Sequence, residues 1–404
     1  MSLDSYQLAF VNEPLVRNIS LIALAGSGKT TTLTSKVIHE VVSGTLTREN
    51  FRCLTFTNVA VAEMVEQGAV KCNQVRMPNV FIGDKKDSAM NISTIDCLAF
   101  AIAKAIPELK FVGTQFKLAI TKVLNFCETV SYRPECLNVY DKVKVVFIDE
   151  AQDTSHISFK FIKVVFRKAF VVAVGDPHQS IYVDSWSIFS ELRGHRMTLP
   201  YNYRSTSSII DSANALLGCP QSVMLPHATT LPGEKLELFS SDDAMVRWIG
   251  KLPPKTSTLI LCATNKLVKS LSESLNNDFG ALDFHATYKD KDIVDDENDE
   301  LGGTEQKVRA TAFKGKRISE YTPKLSTIHK VKGKTCDAVV LYGFSNNLMW
   351  DISRLNKCRP KLWKNLVNVA VTRPRFYLSL VHVGPLRDIW SESSALKKQQ
   401  LIKN

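Results

Sequence analysis

Residues 19–31 read ISLIALAGSGKTT, an apolar run, a turn of small residues and the start of a helix-like run in direct succession. Residues 19–25 make an apolar run of strand length. Small residues follow at Ala25, Gly26, Ser27 and Gly28, and a helix-like run opens at Lys29, Thr30 and Thr31. A strand ending in such a turn and passing straight into a helix lets backbone N–H groups close around phosphate oxygens. The helix N-terminus adds a dipole that favours an anion. In that arrangement Lys29 neutralises the β- and γ-phosphates and Thr30 ligates Mg²⁺. The general pattern opens with Gly, where this chain has Ala23.

The second half of the same site is VVFIDEAQD at residues 145–153. An apolar strand there delivers two adjacent carboxylates at its C-terminal end, where open α/β sheets place their ligands. Asp149 is read as a Mg²⁺ ligand beside Thr30, and Glu150 as the group that orients or deprotonates the attacking water. An Asp-Glu pair on its own is usually a surface feature. Behind a buried strand, and paired with the glycine loop, it becomes a site.

Apolar strands at 52–56 and 170–174 complete a first α/β segment over residues 1–199. A second runs over 200–404, with strands at 257–262, 324–328, 338–342 and 376–383 and a helical stretch at 266–275. The acidic run at 290–300, DKDIVDDENDE, reads as an exposed loop or small insertion.

Lys and Arg outnumber Asp and Glu by 51 to 40. That excess suits a polyanionic partner or a plain solvated surface, and charge alone does not separate the two. None of the nine cysteines forms a C-x-x-C pair, which argues against a zinc ribbon or an iron–sulfur cluster. Their scatter through apolar segments reads as reduced, mostly buried thiols. The N-terminal residues do not read as a signal peptide, and no apolar run reaches membrane length. The expectation is a cytoplasmic protein with no membrane partner.

The motifs, taken in order, resemble the UvrD/PcrA/Rep-like group of superfamily 1 helicases. DEAQD resembles motif II of that family. LTFTNVAVAEM at 54–64 is similar to motif Ia, VGDPHQSIY at 174–182 to motif III, and YNYRS at 201–205 to motif IV. STIHKVKG at 326–333 is similar to motif V and VNVAVTR at 367–373 to motif VI. The resemblance runs from Gln7 to Arg375. It implies two RecA-like P-loop NTPase lobes with reduced accessory insertions, at about 98–142 and 280–323. It implies ATP and Mg²⁺ as cofactors, with Gln179 sensing the γ-phosphate and Arg204 and Arg373 stabilising transition-state charge. Tyr203 resembles the tyrosine that stacks on adenine, and Gly333 falls in the nucleotide-facing part of motif V. Gln7 stands near the family's adenine-reading glutamine. Its residue type alone fits a surface helix equally well. For a bound strand the resemblance implies stacking on Phe56 and Tyr182 and contacts to phosphate or sugar from Thr57, Asn58, Thr94, Thr327 and His329.

The chain departs from the family in several places. Asp96 stands where the family has His, and its carboxylate would repel phosphate. After Tyr182 the usual aromatic and Arg-Gly-Ala are replaced by Val183, Asp184, Ser185, Trp186 and Ser187, with Trp186 a candidate substitute for stacking. Thr335 replaces a ribose-binding Glu. The small insertions weigh against processive unwinding and leave ATP-driven movement intact. The function implied is an ATP-dependent 3′→5′ helicase or translocase on single-stranded DNA. An RNA-directed motor of the same superfamily stays open. So does an ATP-gated subunit of a larger complex whose partner is a nuclease or replication factor. The compact length fits a bacterial protein or one encoded by a phage or other mobile element.

Overall fold

Strand β4, Val145–Ile148, shows how each face of the first sheet is covered. Successive side chains of a strand point to opposite faces. Val145 and Phe147 enter one apolar cluster, and Val146 and Ile148 enter another. Both faces are therefore buried, which explains the unbroken apolar run. Each fully buried Val or Phe contributes about 1.5–3 kcal/mol.

The computed structural model describes residues 3–83, 91–110, 118–130, 133–182, 187–217, 223–234, 236–278, 284–287, 310–311, 321–343 and 362–382. The chain divides into two units, Met1–Leu199 and Pro200–Asn404. In the first, β1 (Ile19–Ala23), β2 (Phe51–Thr55), β3 (Ile92–Thr94), β4, β5 (Phe170–Gly175) and β6 (His195–Leu199) form one parallel sheet in the order β3-β2-β4-β5-β1-β6. One cluster packs α1 (Ser5–Asn12), α2 (Lys29–Val42) and α3 (Asn58–Gln74) on the sheet, and the other packs α4 (Ile95–Ala105), α5 (Ala119–Thr129) and α6 (His156–Val165). A short helix, α7, spans Ile188–Glu191. Side chains cap the helix starts where the chain leaves a strand: Thr57 accepts from Ala60 N–H, and Thr94 from Cys97 N–H.

The second unit holds β7 (Tyr201–Asn202), β8 (Leu225–Pro226), β9 (Glu237–Phe239), β10 (Thr258–Cys262), β11 (His285–Thr287), β12 (Ala310–Thr311), β13 (Lys324–Thr327), β14 (Cys336–Tyr342) and β15 (Pro374–Val381). Its sheet order is β12-β11-β13-β10-β14-β15-β9, parallel except at the β11–β12 edge. Strands β7 and β8 pair separately. Helices α9 (Asp242–Lys251) and α10 (Asn265–Asp278) share a core with β10 and β14, while α8 (Ser207–Leu217) and α11 (Leu362–Val371) pack on β15 and β14. Two parallel sheets, each flanked by helices, are the architecture of duplicated RecA-like P-loop lobes.

Several boundaries differ from the sequence reading. Strand β1 stops at Ala23 rather than 25, because Ser27 N–H turns back onto the Leu24 carbonyl. Strand β15 starts at Pro374, two residues early; proline is tolerated as the first residue of a strand. Strands β3, β6, β7, β8, β9, β11 and β12 had no counterpart in the apolar pattern. Described cysteines are free thiols, with Cys53, Cys72, Cys262 and Cys336 buried as expected. The acidic run at 290–300 lies outside the described residues. Among those residues no helix is long and apolar enough to cross a membrane.

Candidate nucleotide and strand sites

The sheet order places β5 between β4 and β1, so the carboxylate pair and the glycine loop leave from strands flanking one neighbour. Gly26 and Gly28 adopt φ of 69° and 75°, the left-handed region that glycine enters at no steric cost. Gly28 is the N-cap of α2 and has no side chain, so no side-chain cap takes up the first N–H groups of the helix. Ala25 and Ser27 are buried beneath the loop. The Thr30 hydroxyl donates to Asp149 Oδ2 at 3.1 Å. Burial, then the charge of Glu150, pushes the Asp149 carboxyl well above the usual range; the Glu150 N–H, Lys29 and Thr30 pull the other way.

These residues fit Mg²⁺. A hydroxyl and a carboxylate are hard oxygen donors, and a set this small leaves coordination positions for phosphate and water. A divalent cation would also offset the charge that burial makes costly at Asp149. Thr30 and Asp149 would hold it. When bound, it would neutralise charge across the β- and γ-phosphates.

Glu150 has φ 49° and ψ 41°, left-handed for a side-chain-bearing residue, at a cost of order 1–3 kcal/mol. Local bonds offset that cost. Its N–H donates to Asp149 Oδ1 at 3.0 Å, and its carbonyl accepts from Asp153 N–H at 3.0 Å. The Gln152 amide donates to the Glu150 carboxylate. Gln152 Oε1 in turn accepts from Asp176 N–H at 3.0 Å, and its main-chain carbonyl accepts from the Ser180 hydroxyl at 3.1 Å. Gln179, 3% exposed, donates to Asp176 Oδ2 at 3.0 Å. One buried network thus joins DEAQD to the 174–182 segment. Gly175 makes it possible: a Cβ there would sit 2.2 Å from Gln152 Oε1.

Gln7 is buried, not on a surface. With Asp4 it forms a capping box, and its Nε2 donates to the Ser27 carbonyl at 3.0 Å. Helix α1 is tied down in turn by Lys36, which donates to the Val11 and Glu13 carbonyls and pairs with Glu40. Thr31 donates to Gln67 of α3 at 3.1 Å, and Lys71, which burial pulls down to about 8, donates to the Thr31 carbonyl and to Ser35. Sequence reasoning missed Lys36, Gln67, Lys71, Gln152 and Asp176. The Lys36/Glu40 spacing of four was the one visible signal.

On the strand side, Phe56 and Tyr182 stack with ring centroids 5.3 Å apart and 24° between planes. Thr57 and Asn58 are exposed at the start of α3, and the capped Thr94 is buried at the start of α4. Burial raises the Asp96 carboxyl above its ordinary range. Trp186 lies outside the described residues.

In the second unit, Arg204 donates to the Thr372 carbonyl at 3.2 Å, and Arg373, buried, donates to the Val369 carbonyl at 2.8 Å. The structure brings these two together. Tyr203 packs on His227, centroids 4.5 Å apart. Thr327 is buried at the end of β13, His329 opens a 3-10 turn, and Gly333 has φ 83°.

A glycine loop, its Lys29 and Thr30, and a carboxylate pair at the next-but-one strand define a P-loop ATPase domain in the first unit. Residues 7–185 match a family described as AAA domain. The chain is 24% identical over 363 residues to a protein of Acanthamoeba polyphaga mimivirus provisionally named an ATP-dependent DNA helicase, R568, covering 85% of this chain and 48% of that protein. It is 24% identical over 337 residues to the DNA helicase II of Rickettsia typhi, 62% of this chain and 48% of the relative. Over 101 residues it is 34% identical to the DNA helicase II of Haemophilus influenzae, 22% of this chain and 14% of the relative. The P-loop domain is therefore related to superfamily 1 DNA helicases, and the chain spans about half the length of the longer-matching relatives.

Proposed function

We propose that this protein is an ATP-driven motor on single-stranded DNA, a translocase or helicase of the UvrD-like type moving 3′→5′. The observation that carries the reading lies within the first unit. The Thr30–Asp149 pair is joined through Glu150 and Gln152 to Asp176, the residue after β5, and the chain runs on from there through Gln179 to Tyr182, which stacks on Phe56. A γ-phosphate sensed at Gln179 and a base stacked at Tyr182 would then share one short piece of backbone. Lys29 neutralises the phosphates, Glu150 orients the attacking water, and Gln7 holds the base. The family resemblance gives Tyr203 the role of stacking on adenine, and Arg204 and Arg373 that of neutralising charge that develops on the transferred phosphoryl group. The directionality and the choice of DNA follow from the family resemblance and from the relatives' names.

The test is steady-state ATP hydrolysis by the purified chain, alone and with single-stranded DNA, single-stranded RNA and blunt duplex. Stimulation by single-stranded DNA above the other two is the expected result. Stimulation by RNA alone would reassign the substrate, and indifference to all three would sink the motor reading.

Replacing both Phe56 and Tyr182 by Ala should weaken single-stranded DNA binding by about 10–100-fold, since stacking contributes about 1–3 kcal/mol per base. Fluorescence anisotropy with a labelled oligonucleotide reads this directly. Unchanged affinity would remove the aromatic pair from the strand path.

A further inference from the structure

We propose that Asn202 is a positioning residue that makes Arg204 and Arg373 act as one cationic unit. The inference rests on the ATPase reading above. Asn202 is 1% exposed, at the end of β7. Its Oδ1 accepts two backbone N–H groups, from Arg204 at 2.8 Å and from Ser205 at 2.9 Å. A side-chain oxygen that accepts the N–H groups two and three residues on builds a turn and fixes where the chain goes next.

What goes next is a run of bonds to the 372–375 segment. Arg204 Nη1 donates to the Thr372 carbonyl at 3.2 Å, Ser205 Oγ to the Pro374 carbonyl at 2.8 Å, and Thr206 N–H to the Arg375 carbonyl at 3.0 Å. Three successive residues after Asn202 are thus laid along the segment that contains Arg373. Arg373 is held from its own side: its Nε donates to the Val369 carbonyl at 2.8 Å and its Nη1 to the Lys334 carbonyl at 3.4 Å. The side chain that builds the turn carries no charge and touches no reacting group. Its effect on the chemistry runs through Arg204. Removing its oxygen takes the acceptor from two backbone donors, one of them on the buried Ser205, and frees the turn to drift. A shift of about 1 Å in a catalytic group is enough to lower turnover about 100-fold.

The experiment compares Asn202→Ala, Asn202→Ser and Asn202→Asp by steady-state ATP hydrolysis, with kcat and KM read separately. Asn202→Ala should lower kcat by about 10–100-fold with KM little changed. Asn202→Asp keeps an acceptor at the same place and should recover most of the loss. Asn202→Ser, whose shorter hydroxyl is a weaker acceptor, should lose kcat to an extent between the aspartate and alanine variants, and it carries the comparison with aspartate should the alanine variant fail to fold, judged by its thermal transition. Asn202→Ala should also cost little more in an Arg204→Ala background, because the turn then has no guanidinium to place. An unchanged kcat, no recovery with aspartate, or full additivity with Arg204→Ala overturns the proposal while Arg204→Ala alone remains impaired. No turnover by the wild-type chain overturns the ATPase reading and the proposal with it, whereas normal turnover by Arg204→Ala leaves the ATPase reading standing and overturns the role of Arg204, and so the proposal.

Discussion

Glu150→Gln should bind ATP at least as tightly as the native protein and hydrolyse it about 10²–10⁴-fold more slowly, the range ascribed to a general base. The substitution keeps length and shape, so the left-handed turn at residue 150 and its bonds to Asp149 and Asp153 persist. It removes one of two adjacent negative charges. The repulsion that raises Asp149 falls, and so does the repulsion between residue 150 and a γ-phosphate. Gln152 donates its amide to the native carboxylate, so the new amide must present its oxygen there. Its NH₂ group then lies where a proton acceptor is needed. Equilibrium binding of a fluorescent ATP analogue, beside steady-state turnover, separates the two effects. Native-like turnover would strip Glu150 of its assigned role.

Lys29→Ala should fail earlier, at binding. The ammonium at the first position of α2 is the cation of the loop, and it already lowers the proton affinity of Asp149. Without it the loop offers N–H groups and a helix dipole to a highly charged phosphate chain, with two carboxylates close by. Turnover should fall by about 10²–10³-fold, the usual consequence of deleting one charge-stabilising donor, and affinity should fall with it. Lys29 takes no part in either apolar cluster, so the thermal midpoint without nucleotide should match the native chain. The upward shift of that midpoint on adding ATP should disappear. A retained shift would place the phosphates elsewhere.

These two residues were legible because their chemistry is local. A strand, a small-residue turn and a helix start are contiguous, and so are a strand and two acids. Strands β1, β4, β5 and β10 could be read for the same reason, since burial on both faces writes a continuous apolar run. Strand β6 could not: HRMTL sits at the sheet edge, and its outer positions are polar. Strand β3 is three residues long. The capping box at Asp4 and Gln7 was present in the sequence as D-x-x-Q, but the burial of Gln7 against the loop depends on a residue twenty positions away. The bonds that join Gln152 to Asp176, and Arg204 to Thr372, link positions 24 and 168 apart. No periodicity encodes such pairs. The family resemblance named Phe56 and Tyr182 each as a base contact, but not the stacking of one ring on the other.

Gly175 has a bearing on how this protein can change over time. The space its missing side chain leaves is already filled by the Gln152 amide, 2.2 Å from where a methyl would begin, and by the backbone of Ala151. A mutation to alanine is a single-nucleotide change in any glycine codon, so the substitution is offered to selection often. It can be accepted only if the Gln152 side chain leaves its place and the backbone at Ala151 gives by a few tenths of an ångström, and the first of these takes from Glu150 the amide that holds its carboxylate. The position therefore couples two stretches of the gene that are some 25 codons apart: drift in one is limited by the geometry of the other. A lineage that gave up ATP hydrolysis would be released from this restraint, and a larger residue at 175 would be an early mark of the loss.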